Sequence, residues 1–432
     1  MTPPERHIWL EQQLRDHNAY ISDPAIRKQK IEKMKDSAFA FFRATAHLFY
    51  TDLGNGMMAV PTLWRETPHI RTWIKGDAHI QNVGFFENDQ HEVIFDINDY
   101  DEAFVAPFYW DLIRFVTSLY LIQYEVDFHL TDDELDDAAR YFLKQYQHTV
   151  ADSQDHDLIF ENLSGYMGKQ IKVVRKESEH IDLLNRWTEI YAGERRFNLS
   201  HPELVAPTLT EEQAIRENWY QYLQSIPTLV EDRGEEFFAI QDIAYRLNSG
   251  LGSLGVLKFY VLVRGASDQI EDREVLEIKQ QSLPSMFASD LPQQGQISER
   301  HYHHWFGTHG HRTLAATHAL LHSPSHFFGT LQTLNHSFFV RRISPFKTGF
   351  KPKHFNRSSE LKSFLKYSAQ VLAMGHVRAG EHFDPKFVPY NIRQGILDAI
   401  QIWPKAKTTI REISKAYSEL VHGDYIWFKR RF

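Results

Sequence analysis

At 432 residues the chain is longer than one hydrophobic core usually fills, so two lobes or domains are expected. Its 42% hydrophobic and 14% aromatic content excludes a disordered chain, and a net charge of -8 argues against a nucleic-acid-binding protein. No cysteine is present, which removes disulfides, thiolate metal sites and cysteine nucleophiles. The polar N-terminus, residues 1–7, lacks the apolar core of a signal peptide, and no apolar run reaches a membrane-spanning length. A soluble cytoplasmic protein with no membrane partner is expected.

Residues 26–50 space Ile31, Met34, Phe39, Phe41, Phe42, Ala46, Phe49 and Tyr50 as helices with an aromatic face. A strand-like run at 70–74 then leads into Lys75-Gly76-Asp77-Ala78-His79-Ile80-Gln81-Asn82. Two apolar runs, 83–86 and 92–95, flank a polar turn and read as a β-hairpin. Centring that turn on Asn88-Asp89 pairs position 82 with about position 95, roughly 5 Å apart across the ladder, and sets Asn82 beside Asp96. Gly76 permits a tight backbone, so Asp77 can face the same point.

The hairpin is followed by Asp96-Ile97-Asn98-Asp99-Tyr100-Asp101-Glu102. So dense a set of acids repels itself unless cations neutralise it, and its oxygens suit Mg²⁺ held together with substrate phosphates. One unliganded Asp would then be left to accept a hydroxyl proton. An EF-hand loop is excluded, because Tyr100 and Asp101 stand where an oxygen ligand and Gly are required.

Helical spacing continues through Leu112, Phe115, Val116, Leu119 and Ile122. Thr131 with Glu134, and Thr210 with Gln213, read as capping boxes opening two further helices. Between them, residues 152–198 are highly charged, and Lys169, Lys172, Arg175 and Lys176 read as a solvated helix face. Lys429 to Arg431 read as a solvated tail.

Near residue 250 a second motif appears: Gly250-Leu251-Gly252-Ser253-Leu254-Gly255, then an apolar strand at 256–263 and another at 275–279 ending in Lys279. A dinucleotide-binding fingerprint would have a helix directly after the third glycine. Strand, glycine loop, strand is instead the order of a kinase glycine-rich loop, whose backbone N–H groups close over phosphates. Lys279 is then placed to neutralise phosphate oxygens. Glu277 stands where kinases carry a small residue under the base, and the next helix offers Glu299 among its histidines but leaves the partner of Lys279 open. The histidines at 301, 303, 304, 309, 311 and 318 lack an HExxH pattern and read as solvated or core residues rather than zinc ligands. A strand at 336–343, a helix at 361–377 and a last amphipathic helix through Ile410, Ile413, Tyr417 and Leu420 complete the chain.

Gly76-Asp77-x-His79-x-x-Asn82 followed by Asp96 resembles the catalytic and metal loops of aminoglycoside phosphotransferases and choline kinases, members of the protein-kinase-like superfamily. The longer string from Phe95 to Ala103, with Pro107, Trp110-Asp111-Leu112 and Arg114, resembles the bacterial family catalogued as domain of unknown function 2252. The resemblance implies Asp77 as catalytic base and His79 as a loop-orienting residue. It implies Asn82 and Asp96 as metal ligands, with Asp99 a candidate second carboxylate, and Asp111 as a structural anchor. Gly250, Gly252, Ser253, Gly255 and Lys279 would hold the nucleotide.

In ordinary kinases the glycine loop precedes the catalytic loop, whereas here it follows. A circularly permuted, protein-kinase-like α+β fold accommodates that order, because domain termini often lie close together. It would have a large helical lobe and a small antiparallel β-rich lobe. Residues 1–60 would be an N-terminal helical segment, 61–235 the helical lobe with the catalytic and metal loops, 236–345 the nucleotide-binding lobe, and 346–432 helices returning to the helical lobe. The expected activity is ATP- and Mg²⁺-dependent phosphoryl transfer to a hydroxyl of a small molecule or protein. Nucleotidyl (AMP) transfer and a catalytically silent nucleotide-binding module are the alternatives. Lys279 is expected within roughly 10 Å of Asp96, a span that phosphates and a metal bridge.

Overall fold

The computed structural model describes residues 2–126, 128–152, 155–177, 179–247, 250–252, 254–289, 291, 299–381 and 386–432. Its strands are β1 (Arg71–Ile74), β2 (Val83–Glu87), β3 (Val93–Ile97), β4 (Phe104–Pro107), β5 (Thr188–Tyr191), β6 (Glu194–Phe197), β7 (Leu204–Val205), β8 (Ile240–Arg246), β9 (Lys258–Val263), β10 (Glu274–Gln281), β11 (Gly329–Thr333), β12 (His336–Arg342) and β13 (Thr348–Gly349). A six-stranded antiparallel sheet runs β11-β12-β10-β9-β8-β7, and smaller sheets join β1 to β4, β13-β2-β3, and β5 to β6. The chain is therefore mixed α+β with a helical region and antiparallel sheets.

The expected antiparallel pairing around Lys279 is present, with Lys279 opposite Lys258 on β9. Helix Ser358–Glu381 returns to the region carrying Asp77, where Thr72 Oγ donates to the His376 carbonyl at 2.6 Å. A large core takes in Leu10 and Leu14 near one end of the chain and Tyr425 and Phe428 near the other. Two smaller cores cover the faces of the six-stranded sheet. One holds Trp219 and Tyr222 against Phe259 and Phe338, and the other holds Leu183 and Trp187 against Tyr260 and Leu262.

These cores shift the boundary expected at residues 235 and 236. Helix Leu209–Ser225 packs on the sheet, with Trp219 Nε1 donating to the Phe238 carbonyl at 3.0 Å and the Thr330 N–H to Ser225 Oγ at 2.9 Å. Conversely Tyr302, Phe306 and Ala316, expected in the small lobe, pack into the large core. The capping box at Thr131 and Glu134 is present, but the next helix is opened by Thr208 and Glu211, two residues before the expected pair.

The hairpin register also differs. Val83 faces Ile97 and Gly84 faces Asp96, because the loop is longer than the two-residue turn centred on Asn88-Asp89. Buried Asn88 organises it: its Oδ1 accepts the N–H groups of Gln90 and Glu92, both at 3.0 Å, while His91 takes a positive φ of 60°. Asn98, whose N–H donates to the Asn82 carbonyl at 3.1 Å, therefore stands where Asp96 was expected.

The two ends of the chain are tied by a buried ion cluster. Arg6 donates to both carboxylate oxygens of Asp424 and of Asp52, and Tyr417 adds a hydrogen bond to Asp52 at 3.0 Å. Replacing Arg6 by Met leaves two buried carboxylates without their cation. Such a change is expected to cost about 3–5 kcal/mol in urea unfolding; a loss below about 1 kcal/mol would show that water replaces the guanidinium.

Candidate active site

The segment 75–82 hangs from a single buried carboxylate. Asp111, in helix Tyr109–Leu121, accepts the N–H of Lys75 at 2.7 Å and that of Gly76 at 3.0 Å. His376 lies 3.2 Å from the same carboxylate and is held in turn by Tyr146 at 2.8 Å. Asp111 thus takes the anchoring position that the resemblance implied. Gly76 has φ +78°, and a Cβ there would lie 1.9 Å from the Glu102 carbonyl oxygen, so only glycine lets the segment pass beneath the acidic loop.

This turn sets the Asp77 side chain, 17% exposed, between three neighbours. Arg114 donates to Oδ1 through Nε at 2.8 Å and Nη2 at 2.6 Å, His79 Nε2 lies 3.4 Å from Oδ2, and Asn82 Nδ2 donates to the Asp77 carbonyl at 2.9 Å. Burial alone would raise the Asp77 carboxyl, but Arg114, His79 and Lys75 outweigh it and hold the group well below the usual carboxylate range. Burial pulls His79 down to about 4, so it is neutral at pH 7. The Gln81 N–H donates to its Nδ1 at 3.2 Å, which leaves the proton on Nε2 facing Asp77. His79 therefore orients the Asp77 carboxylate.

The loop between β3 and β4 carries the other acids, and cations from three elements pin it. Lys75 Nζ donates to the Asp99 carbonyl at 2.8 Å. Arg312, from helix His309–Leu320, donates to the carbonyls of Tyr100 at 2.9 Å and Ala103 at 3.0 Å. Lys279 reaches across from β10, placing Nζ 3.2 Å from Asp99 Oδ1 and in contact with Asp101 Oδ2. Burial opposes charge on Lys279, but Asp101 and Asp99 prevail and its pKa rises above the ordinary lysine value. The Asp99 side chain is 43% exposed, and Lys279, Lys75 and Arg341 hold it ionised against the effect of burial. Glu102 accepts the Ser285 N–H and hydroxyl, and burial lifts it to about 6.

Asp77, Asn82, Asp99 and Asp101 line one pocket of about 80 Å³, together with Lys75, Arg43 and Gly252. The sequence thus identified residues that the fold brings together from positions far apart in the chain. Asp96 is not among them. Opposite Gly84 within the hairpin, it is 4% exposed, accepts the Ile97 N–H at 2.7 Å, and responds to Arg378, Asp157 and Asp155. Burial raises it to about 7, and its side chain does not line the pocket shared by Asn82 and Asp99.

The glycine turn is also only partly as expected. Gly252 lines the pocket, but Gly250 is exposed, and Gly255, at φ +88°, packs on Ile21 so closely that a Cβ would fall 2.7 Å from it. Ser253 lies outside the described residues. Glu299 pairs with His303 at 3.7 Å, so Lys279 takes its partners from the acidic loop instead.

A second cavity, about 220 Å³, opens on the other side of Asp99. It lies between Ile97 and Asn98 of the hairpin, Tyr260 and Glu277 of the sheet, and the segment 341–347. Glu277 is bonded by Arg341 at 2.8 Å and paired with Lys258 at 3.2 Å, so it remains ionised although buried.

The oxygen donors fit Mg²⁺ held with phosphates. Asn82 commits its amide nitrogen to Asp77, leaving Oδ1 for a cation, and the half-exposed Asp99 carboxylate lines the same pocket. Among the described residues no group of three or more His, Cys, Asp or Glu side chains could hold a metal unaided. Mg²⁺ bound with phosphates needs only one or two such carboxylates.

Sequence reasoning missed Asp101 as a Lys279 partner, although it stood in the acidic run. It also missed Arg312 and His376, whose places on helices give no spacing signal. Fold and pocket define a mixed α+β protein with a lysine-bridged acidic cleft between a helical region and an antiparallel sheet. Residues 22–431 match the family described as an uncharacterized protein conserved in bacteria, domain of unknown function 2252, and the chain belongs to it. Neither the curated proteins nor the solved structures contain a match. No helix of the described residues is long and apolar enough to cross a membrane.

The buried Asp96 generates a pH dependence. A carboxyl whose folded pKa is raised stabilises the fold fully below its unfolded value, and that contribution is lost as pH rises through about 7. Asp96→Asn, neutral throughout, is expected to remove a few kcal/mol of the stability lost between about pH 4 and pH 8. Urea midpoints across that range measure it, and identical pH slopes in the two proteins would contradict the shift.

Proposed function

We propose that this chain is a phosphotransferase that moves the terminal phosphoryl group of Mg-ATP to a hydroxyl of a small molecule or protein, on a circularly permuted, protein-kinase-like fold. The observation that carries the reading is the meeting of Lys279 with Asp99 and Asp101, beside the pocket that holds Asp77, Asn82 and Gly252. Gly252 and Lys279, from the later motif, thus lie beside Asp77, Asp99 and Asp101 of the earlier one, which supports the reading. The shared core beneath both chain ends supports the permutation.

On this reading the base lies in the cavity bounded by Tyr260, Glu277 and segment 341–347, and the phosphates run past Asp99 toward Asp77. Lys279 neutralises phosphate oxygens, for which it exchanges part of its present pairing with Asp99 and Asp101. When bound, Mg²⁺ draws charge from the phosphates, with Asn82 and Asp99 as its protein ligands. Asp77, ionised and fixed by Arg114 and His79, orients the acceptor hydroxyl. The acceptor oxygen bonds to the terminal phosphorus, the bond to the bridging oxygen breaks with its electron pair leaving on ADP, and the hydroxyl proton passes to Asp77. Most of the acceleration on offer is positional and electrostatic.

Mass spectrometry after incubation with Mg-ATP and a metabolite extract tests the reaction. A phosphate-sized addition is expected; an AMP-sized addition would establish nucleotidyl transfer instead, and nucleotide binding with no product would identify a silent module.

Asp77→Asn is expected to keep Mg-ATP affinity and lose about 10²- to 10⁴-fold in turnover. Unchanged turnover would remove Asp77 from the reaction. Asp99→Asn is expected to weaken Mg²⁺-dependent nucleotide binding at least about tenfold, whereas Asp96→Asn leaves it unchanged. Calorimetric titration separates the two, and the reverse ranking would place the metal at Asp96.

A further inference from the structure

Among the described residues, Arg43 is a cation lining the pocket whose hydrogen-bond partners are incomplete. It sits on helix Ala38–Ala44, in the N-terminal segment that lies outside the motif-bearing stretches, and lines the pocket with Asp77, Asn82 and Gly252. Lys279 is engaged on Asp99 and Asp101 and Lys75 on the Asp99 carbonyl, while Arg114, behind the pocket lining, is engaged on Asp77 through Nε and Nη2 and leaves its buried Nη1 without a partner among the described residues. Arg43 instead donates through Nη1 to the side-chain oxygen of Gln81 at 2.6 Å, and among the described residues its buried Nε has no hydrogen-bond partner. Asp77 and Asp99 act on it through space, too weakly to offset the burial that lowers its pKa. Burying a guanidinium with an unpaired N–H costs free energy, and a bound anion would repair it.

The position says which anion. Gln81 belongs to the segment between Asp77 and Asn82, where the acceptor and the transferring group meet. On the other side, a Cβ on Gly252 would lie 3.8 Å from the Arg43 carbonyl, so the glycine turn rests against this residue. The N-terminal segment of the same chain fixes that turn, with Tyr20 donating to the Leu254 carbonyl at 2.9 Å and Ile21 packed on Gly255. Arg43 therefore stands between the turn that covers phosphates and the aspartate that receives the acceptor proton.

Resting on the phosphotransferase reading, we propose that Arg43 binds the terminal phosphate of the nucleoside triphosphate, supplied in cis by the N-terminal helices, and so makes the cleft distinguish triphosphate from diphosphate. A planar guanidinium forks onto two phosphate oxygens and neutralises charge that grows as the phosphoryl group leaves. The N-terminal segment would on this account be part of the active site.

Calorimetric titration of the full chain with Mg²⁺ and either AMP-PNP or ADP tests this without knowledge of the acceptor. Wild-type protein is expected to prefer AMP-PNP, and Arg43→Gln to weaken AMP-PNP about 10- to 100-fold while ADP affinity holds. Equal losses for both nucleotides, or none, would overturn the proposal; no loss in either would also leave an anionic group on the acceptor as the alternative ligand of Arg43. If Arg43→Gln does not fold, Arg43→Lys keeps the charge without the fork and is expected to reduce the preference about tenfold, an unchanged preference again being the overturning result. Wild-type protein that binds neither nucleotide would instead overturn the phosphotransferase reading itself.

Discussion

The concentration of negative charge between residues 96 and 102 is the constraint around which the structure is arranged. Carboxylates this close in a partly buried loop are tolerable only if cations and N–H groups meet them. Lys75 comes from the turn just after β1, Arg312 from a helix two hundred residues later, and Lys279 from the centre of the six-stranded sheet. Each binds the loop by charge-assisted hydrogen bonds, so the sheet and the helical region are joined at the acids themselves. A cleft formed this way carries its charges in fixed positions before any ligand arrives.

Behind that contact lies a second tier that fixes orientation. Asp111 accepts two successive backbone N–H groups, His376 and Tyr146 hold Asp111, and Arg114 on the same helix fixes Asp77. One helix therefore determines both where the 75–82 segment runs and which way its aspartate points. The carboxylates have sorted into roles by environment. Asp77 and Asp99 sit among cations and stay ionised, whereas Asp96 and Glu102 are raised by burial to about 7 and about 6. Asp77 and Asp99, with Asp101 paired to Lys279, are the carboxylates that line the cleft as anions.

Much of this was legible in the residues. Gly76, Asp77, His79, Asn82, Asp99, Gly252 and Lys279 could be chosen because acids, amides and glycines at short spacing imply local geometry, and local geometry survives folding. What failed was register. A two-residue turn placed Asp96 beside Asn82, but Asn88 folds the loop around its own side chain and moves Asn98 into that place, so Asp96 turns into the hairpin's surroundings. The lobe boundary failed for a related reason: helix Leu209–Ser225 has an apolar face that any core would satisfy, and its spacing does not say which. Arg43, Arg312 and His376 were invisible as site residues because their partners lie far away in sequence and their own helices are otherwise unremarkable.

On the phosphotransferase reading, Asn82 and Asp99, not Asp96, face the phosphates across from Lys279. The most direct measurement is the anomalous diffraction of crystals grown with Mn²⁺ in place of Mg²⁺ and with AMP-PNP. A manganese peak coordinated by the Asn82 and Asp99 side chains is expected, with phosphate oxygens between it and Lys279. A peak beside Asp96, or nucleotide bound away from Lys279, would contradict that reading.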